Sequence, residues 1–543
     1  VRPIFQVLGC SLVVSALLIS AMLIERAAVG NPYNLRAFPH LALFQDYYAF
    51  APYLGILLLA LLPPVRELGM RIAAWCGEHP WRVAVTASLV LAGGAVVVYA
   101  KHPLSMDEYT VLFQSEIFAA GRLAGQIPPE LIDWLIPKAI QGKFLKADAQ
   151  TGAIAAAYWP GFSLLLTPFT AIGAPWLLNP LIGGATMVVM HRIGMALFGN
   201  KESAGLVVLL TAASPAVTIN ALSYYAMPAH LLANGLFVLL LLEPTAKRAL
   251  AAGVLGSFAL VLHSPVPHLF FALPWFVWLA FRRGGRTLVS SLAAGYLPLC
   301  LLIGFGWAMF LDHLKLATVA GDVLAPAGPV ETVLRRFRFI LDWIYDPSVI
   351  MHVLSFAKLW LWAVPALVVV AALGAWRLRR ERGIWVVIAA SGLLSYVGYL
   401  FVPFEQGHGW GYRYFHQAWL VLPLFAVAAL RNAAQPALAG YLAGSAVLSL
   451  ALLTTFHASQ VRTFIARHLN QLPAVSGPVR VVIVNPLNGY YAWDLVQNDP
   501  FLRRPVTLLL SNGMQADRAM MAKVFPRYQL LEADRRASLW GVK

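Results

Sequence analysis

Apolar runs recur along the chain at about 3–24, 47–66, 81–100, 158–173, 176–197, 202–219, 227–243, 248–263, 266–282, 287–311, 356–376, 384–402, 415–431 and 436–457. A helix crossing a bilayer needs about 20 mostly apolar residues, and most of these runs meet or approach that length. The shorter ones are tilted, re-entrant or merged with a neighbour, so the pattern predicts an all-α polytopic membrane protein of roughly 12–14 transmembrane helices. No repeat of fixed period and no pair of like halves is visible, and secondary transporters often carry such halves.

Basic residues set the orientation. Short turns carrying Arg66, Arg71 and Arg82, then Lys247 and Arg248, then Arg282, Arg283 and Arg286, then Arg377, Arg379, Arg380 and Arg382 are predicted cytoplasmic, because Lys and Arg in short loops remain on that side. The connections 101–157 and 312–355, the Gly- and His-rich stretch 404–416 and the tail from 458 then lie outside. If 176–197 descends to a basic turn at Arg192–Lys201, the short 158–173 run cannot also cross fully, and it is expected to be re-entrant or partial.

The tail changes period. Val479–Val484, Val506–Leu510, Tyr528–Glu532 and Ala537–Val542 read as strands and Gln515–Val524 as a helix, which predicts a small α/β domain. At roughly 70–85 residues it is near the lower limit for independent stability and is expected to dock on the membrane part. The division is therefore two additional N-terminal transmembrane helices in 1–80, a membrane core in 81–457 with the external loop 101–157, and an external α/β domain in 458–543.

Composition sharpens this picture. Of 543 residues 60% are hydrophobic and 12% charged, against roughly 25% charged in a soluble domain, so too little polar surface exists to wrap a soluble protein of this size. Lys+Arg 40 against Asp+Glu 24 gives a net +16, an excess that anchors cytoplasmic loops and does not indicate nucleic-acid binding. Cys10, Cys76 and Cys300 have no spacing that suggests a zinc site or a disulfide framework. The first apolar run has no small-residue cleavage site, so a retained helix is expected there.

Candidate chemistry gathers on the external side. The first large loop opens His102-Pro103-Leu104-Ser105-Met106-Asp107-Glu108-Tyr109, and acids at the mouth of a membrane helix are costly unless they face a cavity or a partner. Asp107 is then either a general base at the lipid–water boundary or the N-cap of an amphipathic helix bearing Leu112, Phe113, Ile117 and Phe118. Successive helical residues diverge by about 100°, which leaves Glu108 a supporting role. A second helix-like stretch follows from Pro129 to Gln141, before Tyr158-Trp159-Pro160-Gly161. Amphipathic helices between two spans lie in the membrane surface and would floor a cleft open to lipid and water.

Met106-Asp107-Glu108 after an early span, Tyr158-Trp159-Pro160-Gly161 before Leu164-Leu165-Leu166, the Leu197-Phe198-Gly199 turn with Ser214-Pro215, and Gly411-Tyr412-Arg413-Tyr414-Phe415 before Leu420–Leu424 occur in an order that resembles the GT-C glycosyltransferases. The likeness is to their polyprenyl-phosphate-sugar-dependent branch, which holds the protein O-mannosyltransferases and lipid A aminoarabinose transferases. It covers residues 80 to 460. It implies a GT-C-like membrane core, a polyprenyl-phosphate sugar donor, and a hydroxyl acceptor on a glycan, lipid or protein that Asp107 would activate. By the same analogy the enzyme would sit in a bacterial inner membrane with its site facing the periplasm. The chain departs from the branch where a Lys-Pro-Pro-like motif gives way to Tyr158-Trp159-Pro160-Gly161, and where Met227, Pro228 and His230 replace an acid.

On the predicted topology His102, His230, His263, His268, His408 and His416 all fall at external ends or loops, where imidazoles can meet a phosphate or orient a hydroxyl. Arg413, between Gly411-Tyr412 and Tyr414, is either a bidentate phosphate ligand or a snorkelling arginine among the belt aromatics Trp410, Tyr412 and Tyr414. The proposed assignment puts donor phosphate on Arg413, His263, His268 and Tyr412, and the acceptor or sugar among Tyr109, His230, Tyr158, His408 and Trp410. The Arg335-Arg336-Phe337-Arg338 cluster reads as a headgroup-binding face. A divalent cofactor, Mg or Mn, is left open, with no tight carboxylate cluster in view. The rival readings are a transporter or lipid flippase, which would put ionisable groups at mid-membrane, and a non-catalytic scaffold. The spans read as nearly free of charge, which favours the transferase.

Overall fold

The computed structural model describes residues 2–31, 35–137, 141–314, 349–381, 383–400, 406–431, 435–487, 489 and 491–542. Among them, six helices are long and apolar enough to cross a membrane: Arg2–Ala28, Ala37–Leu59, Pro80–Val97, Pro175–Phe198, Gly285–His313 and Pro436–Leu469. Seven shorter apolar helices of 10–17 residues accompany them, including Gly161–Ala171, Met227–Leu241, Val266–Ala280 and Ile384–Leu400. The protein is thus an all-α polytopic assembly carrying two small sheets on its polar connections. The Arg335–Arg338 cluster falls outside the described residues.

Several elements differ from the periodicity, each for a physical reason. The run expected at 47–66 is instead Ala37–Leu59, with a 3-10 turn at Asp46–Ala49. Alone, Asp46 would forbid a span at this point, but its carboxylate meets Lys358 Nζ at 2.5 Å, with both side chains 1% exposed. The pair also corrects the expectation of charge-free spans. Arg66 and Arg71 sit not in a turn but on a helix, Pro63–Glu78, that begins on two prolines, residues suited to a first helical turn. In the stretch expected as a helix from Pro129 to Gln141, the residues described up to Pro137 form a 3-10 turn at Pro129–Leu131 and one α-turn, Ile132–Leu135, because Pro137 disfavours helical backbone at Ile136.

Gly161–Ala171 has 11 residues, a rise of about 16 Å against a hydrocarbon core of about 30 Å. It is too short to cross upright and packs on the Met106–Ala119 helix. The last span runs to Leu469 rather than 457. Its upper end buries Val461 and Ile465 and enters the stretch that the pattern assigned to the external domain.

The 101–157 connection carries an unanticipated antiparallel sheet of β1 (Gly125–Gln126), β2 (Leu145–Ala147) and β3 (Ala153–Ala156), in the order β1-β3-β2. Strands this short leave no period to read. In the tail, β4 (Val479–Val484), β5 (Thr507–Leu510), β6 (Gln529–Ala533) and β7 (Ala537–Gly541) form a sheet ordered β5-β4-β7-β6, with β4 and β5 parallel. Alternate residues of a strand face opposite ways. Accordingly Val481, Ile483, Leu509 and Trp540 join Tyr109, Phe113, Ile117 and Leu131 of the loop in one core, while Val482, Val484 and Leu539 face Ala492, Leu495 and Val496. The domain therefore docks on the 101–157 connection. Polar ties reinforce the joint: Tyr109 donates to the Asn498 carbonyl at 2.6 Å, Trp134 to Asp517 at 2.8 Å, and Arg504 reaches Glu116 at 2.7 Å.

Candidate active site

The Met106–Ala119 helix starts from Ser105, and Asp107 and Glu108 occupy its first turn. Asp107 is therefore not the N-cap; its carboxylate is used elsewhere. One oxygen lies 3.1 Å from an Arg413 η-nitrogen and the other accepts from the Tyr158 hydroxyl. Arg413 is 4% exposed and Asp107 25%, so the acid is the member that meets the open space. Burial pushes the Asp107 carboxyl upward, but the Arg413 charge, the Tyr158 hydroxyl and His263 together hold it below its ordinary value of 3.8. It is ionised at neutral pH.

Local sequence explains how the partners are placed. Gly161 lets the Tyr158-Trp159-Pro160-Gly161 corner press on the turn around His263: a Cβ there would fall 2.6 Å from the Val261 carbonyl. Trp159 N–H and Phe162 N–H donate to the His263 and Leu262 carbonyls at 3.2 and 2.7 Å. Tyr158 thereby meets His263 edge-on at 4.2 Å between ring centres. On the opposite wall, Gly409 at φ 136° passes so close to Arg413 that a Cβ would come within 2.4 Å of its Cδ. The Arg413 guanidinium also donates to the Gln406 carbonyl and lies 4.4 Å from the centre of the Tyr225 ring. Its Nε is buried and has no partner.

Asp107, Tyr158, His263, Gln406 and Arg413 line a cavity of about 720 Å³. Of the residues singled out in the sequence, the structure brings Asp107, Arg413, His263, Tyr158, His230 and His408 to its wall. Both ring nitrogens of His230 and Nδ1 of His263 are buried without a partner. Burial, with the Arg413 charge assisting and Asp107 opposing, takes His263 down to about 4, so it stands as a neutral imidazole.

The others lie behind the wall. Glu108 is fully buried and accepts from Leu104 N–H at 3.0 Å, Tyr224 N–H at 2.8 Å and the Tyr99 hydroxyl at 3.3 Å. Burial carries its carboxyl up to about 8 against those three donors. Trp410 donates to the same Tyr99 hydroxyl at 2.9 Å. His268 is held by Asn234 at 2.7 Å and Tyr296 at 2.6 Å. Tyr412 packs edge-on against Tyr396, and Tyr109 is spent on Asn498. The sequence reading also missed cavity residues: Lys143 from the turn before β2, Lys146 from β2, Tyr399, and Tyr491, Trp493 and Asp494 from the C-terminal domain. Only the aromatic Tyr490-Tyr491-Ala492-Trp493 stretch in a polar tail offered a signal.

Among the described residues no three His, Cys, Asp or Glu side chains gather as metal ligands. The two carboxylates on the wall are each committed, Asp107 to Arg413 and Asp494 to His408 at 3.2 Å. A hard dication needs free oxygen ligands, so this donor set does not fit one.

No family model matches the chain, and no curated protein matches it. Two solved structures of ArnT from Cupriavidus metallidurans are similar in arrangement. The one bound to undecaprenyl phosphate is 13% identical, covering 85% of this chain and 98% of that one with a TM-score of 0.37. The apo form is 11% identical, covering 84% and 96% with a TM-score of 0.36.

Proposed function

We propose that this protein is an integral-membrane glycosyltransferase that moves a sugar from a polyprenyl-phosphate-linked donor to a hydroxyl acceptor on the external face, with inversion. The observation that carries the reading is an ionised Asp107 on a cavity wall, paired with an arginine that keeps a spare buried donor at Nε. The polyprenyl phosphate released from the donor phosphodiester is already a good leaving group, so one base and one cation suffice for in-line displacement.

In this mechanism the acceptor hydroxyl hydrogen-bonds to Asp107, which takes its proton as the oxygen attacks the anomeric carbon. The bond from that carbon to the phosphate oxygen breaks on the opposite face, and the departing phosphate gathers its charge against Arg413. Donor binding and basicity are coupled. A phosphate that draws Arg413 charge toward itself relieves the group that holds Asp107 acidic, so the base gains proton affinity when a donor is in place. Neutral His263 and the unpartnered ring nitrogens of His230 suit sugar hydroxyls better than a phosphate. The polyprenyl tail would leave the cavity between helices on its apolar side, near Val266 and Pro267.

The acceptor belongs to a glycan, lipid or protein, and the site faces the periplasm of a bacterial inner membrane. Reconstituted protein supplied with a defined polyprenyl-phosphate sugar and a hydroxyl acceptor should release free polyprenyl phosphate and a product of opposite anomeric configuration. Movement of intact lipid-linked sugar between leaflets, with no cleavage, would establish the flippase reading instead.

A further inference from the structure

The C-terminal domain does more than cover the loop. The segment Tyr491-Ala492-Trp493-Asp494 sends three of its four side chains to the cavity wall. Tyr491 and Trp493 stack face to face, 4.8 Å apart and 28° from parallel, and Tyr491 meets His408 edge-on at 5.0 Å. Both aromatic rings remain partly accessible. Tyr491 holds this pose with φ 50° and ψ 56°, a left-handed backbone that bulky residues rarely adopt, and such outliers cluster at binding and active sites.

Asp494, 2% exposed, fixes the pair to the reaction centre. One carboxylate oxygen accepts from the Met106 N–H at 2.8 Å and the other lies 3.2 Å from His408 Nε2. Met106 immediately precedes Asp107. The stacked rings are therefore tethered one residue from the proposed base, on the wall of the same cavity.

We infer that Tyr491 and Trp493 form an aromatic shelf for the pyranose ring that is transferred, with Asp494 as the positioning residue that ties the shelf to the Asp107 helix. This rests on the glycosyltransferase reading. A sugar ring presents a face of C–H groups with slight positive charge, which complements the negative face of an aromatic ring. Its hydroxyls meet neutral imidazoles. The ring must also lie where its anomeric carbon is about 3–3.5 Å from an acceptor oxygen held by the base, and the shelf stands beside that point.

The test compares full-length wild type and variants in nanodiscs, measuring Kd for bare polyprenyl phosphate and for polyprenyl phosphates carrying a panel of single pyranoses. Wild type should bind at least one sugar-bearing lipid more tightly than the bare one. Tyr491→Asn removes the ring but tolerates positive φ, and it should erase roughly three- to tenfold of that advantage. Tyr491→Phe should retain it, and bare-lipid affinity should stay at the wild-type value in both. Trp493→Tyr should weaken the advantage in the same direction. If the sugar-dependent advantage survives both Tyr491→Asn and Trp493→Tyr, the shelf is wrong while the donor reading stands. If wild type binds neither kind of lipid, the donor reading itself has failed.

Discussion

Replacing Asp107 with asparagine separates charge from shape at the proposed base. The amide can turn Oδ1 to the Arg413 guanidinium and donate from Nδ2 to the Tyr158 hydroxyl oxygen, so both contacts survive. What is lost is the charge on the hydrogen bond to Arg413, worth about 1–3 kcal/mol. Breaking a buried ion pair outright costs roughly 3–5 kcal/mol, but Asp107 is a quarter exposed and Arg413 still holds the Gln406 carbonyl and the Tyr225 face, so the loss belongs at the lower end. The variant should fold with a reduced Tm. Its chemistry should suffer far more, because a positioned general base is worth about 10²–10⁴ in rate. Transfer from a defined lipid-linked sugar, followed by mass spectrometry on monodisperse protein, should show that drop in kcat. Donor affinity should hold or improve, since Arg413 loses its competitor. Wild-type turnover would refute the assignment, and an unchanged kcat with raised donor KM would make Asp107 a binding group. The pH dependence follows with its sign. A carboxyl held below 3.8 in the folded protein stabilises it above that ordinary value, and the contribution is lost as pH falls through the depressed one. Wild-type kcat/KM, which reports the donor-free protein, should accordingly stay flat from neutral pH down to the ordinary carboxylate range, and Asp107→Asn should lack that acid-side loss of stability.

Three further outcomes follow from the same geometry. Arg413→Gln removes the group that opposes burial at Asp107, so the acid limb of the rate profile should move up past 3.8, while donor KM rises roughly ten- to hundredfold; an unmoved limb would contradict the pairing. Glu108→Gln turns an amide N–H toward a backbone donor and should cost about 1–3 kcal/mol of stability, read as a lower Tm, with kcat per folded molecule little changed. Lys358→Met strands Asp46 in the core and should destabilise by about 3–5 kcal/mol, whereas the double variant with Asp46→Leu should recover most of it in a detergent thermal-shift assay.

The sequence was most legible where one side-chain pattern decides the element. The tail strands and helix fall within a residue or two of their expected bounds, because the nearly continuous apolar run along 479–484 is what a strand packed on both faces requires. Spans were legible by hydropathy except where an unseen partner changed the arithmetic. Asp46 hid the start of Ala37–Leu59, since its neutralising lysine lies 312 residues away. The loop sheet was unreadable for a different reason, its strands having two to four residues each. At the site, Asp107 and Arg413 stood out as charged groups beside apolar runs, yet their mutual contact, 306 residues apart, belongs to tertiary structure alone. His268 and Trp410 looked equivalent to His263 and His408 because a sequence places residues at a membrane boundary without saying which way they turn. Asp494 carried no local signal; only docking of the tail brings it to Met106.

The most direct test is a structure of the full-length protein in nanodiscs with an added polyprenyl-phosphate sugar. The account predicts phosphate density within hydrogen-bonding distance of Arg413, the sugar between Asp107 and the Tyr491–Trp493 rings, and the prenyl tail leaving between helices. A lipid phosphate bound elsewhere, with this cavity holding solvent alone at saturating donor, would contradict it.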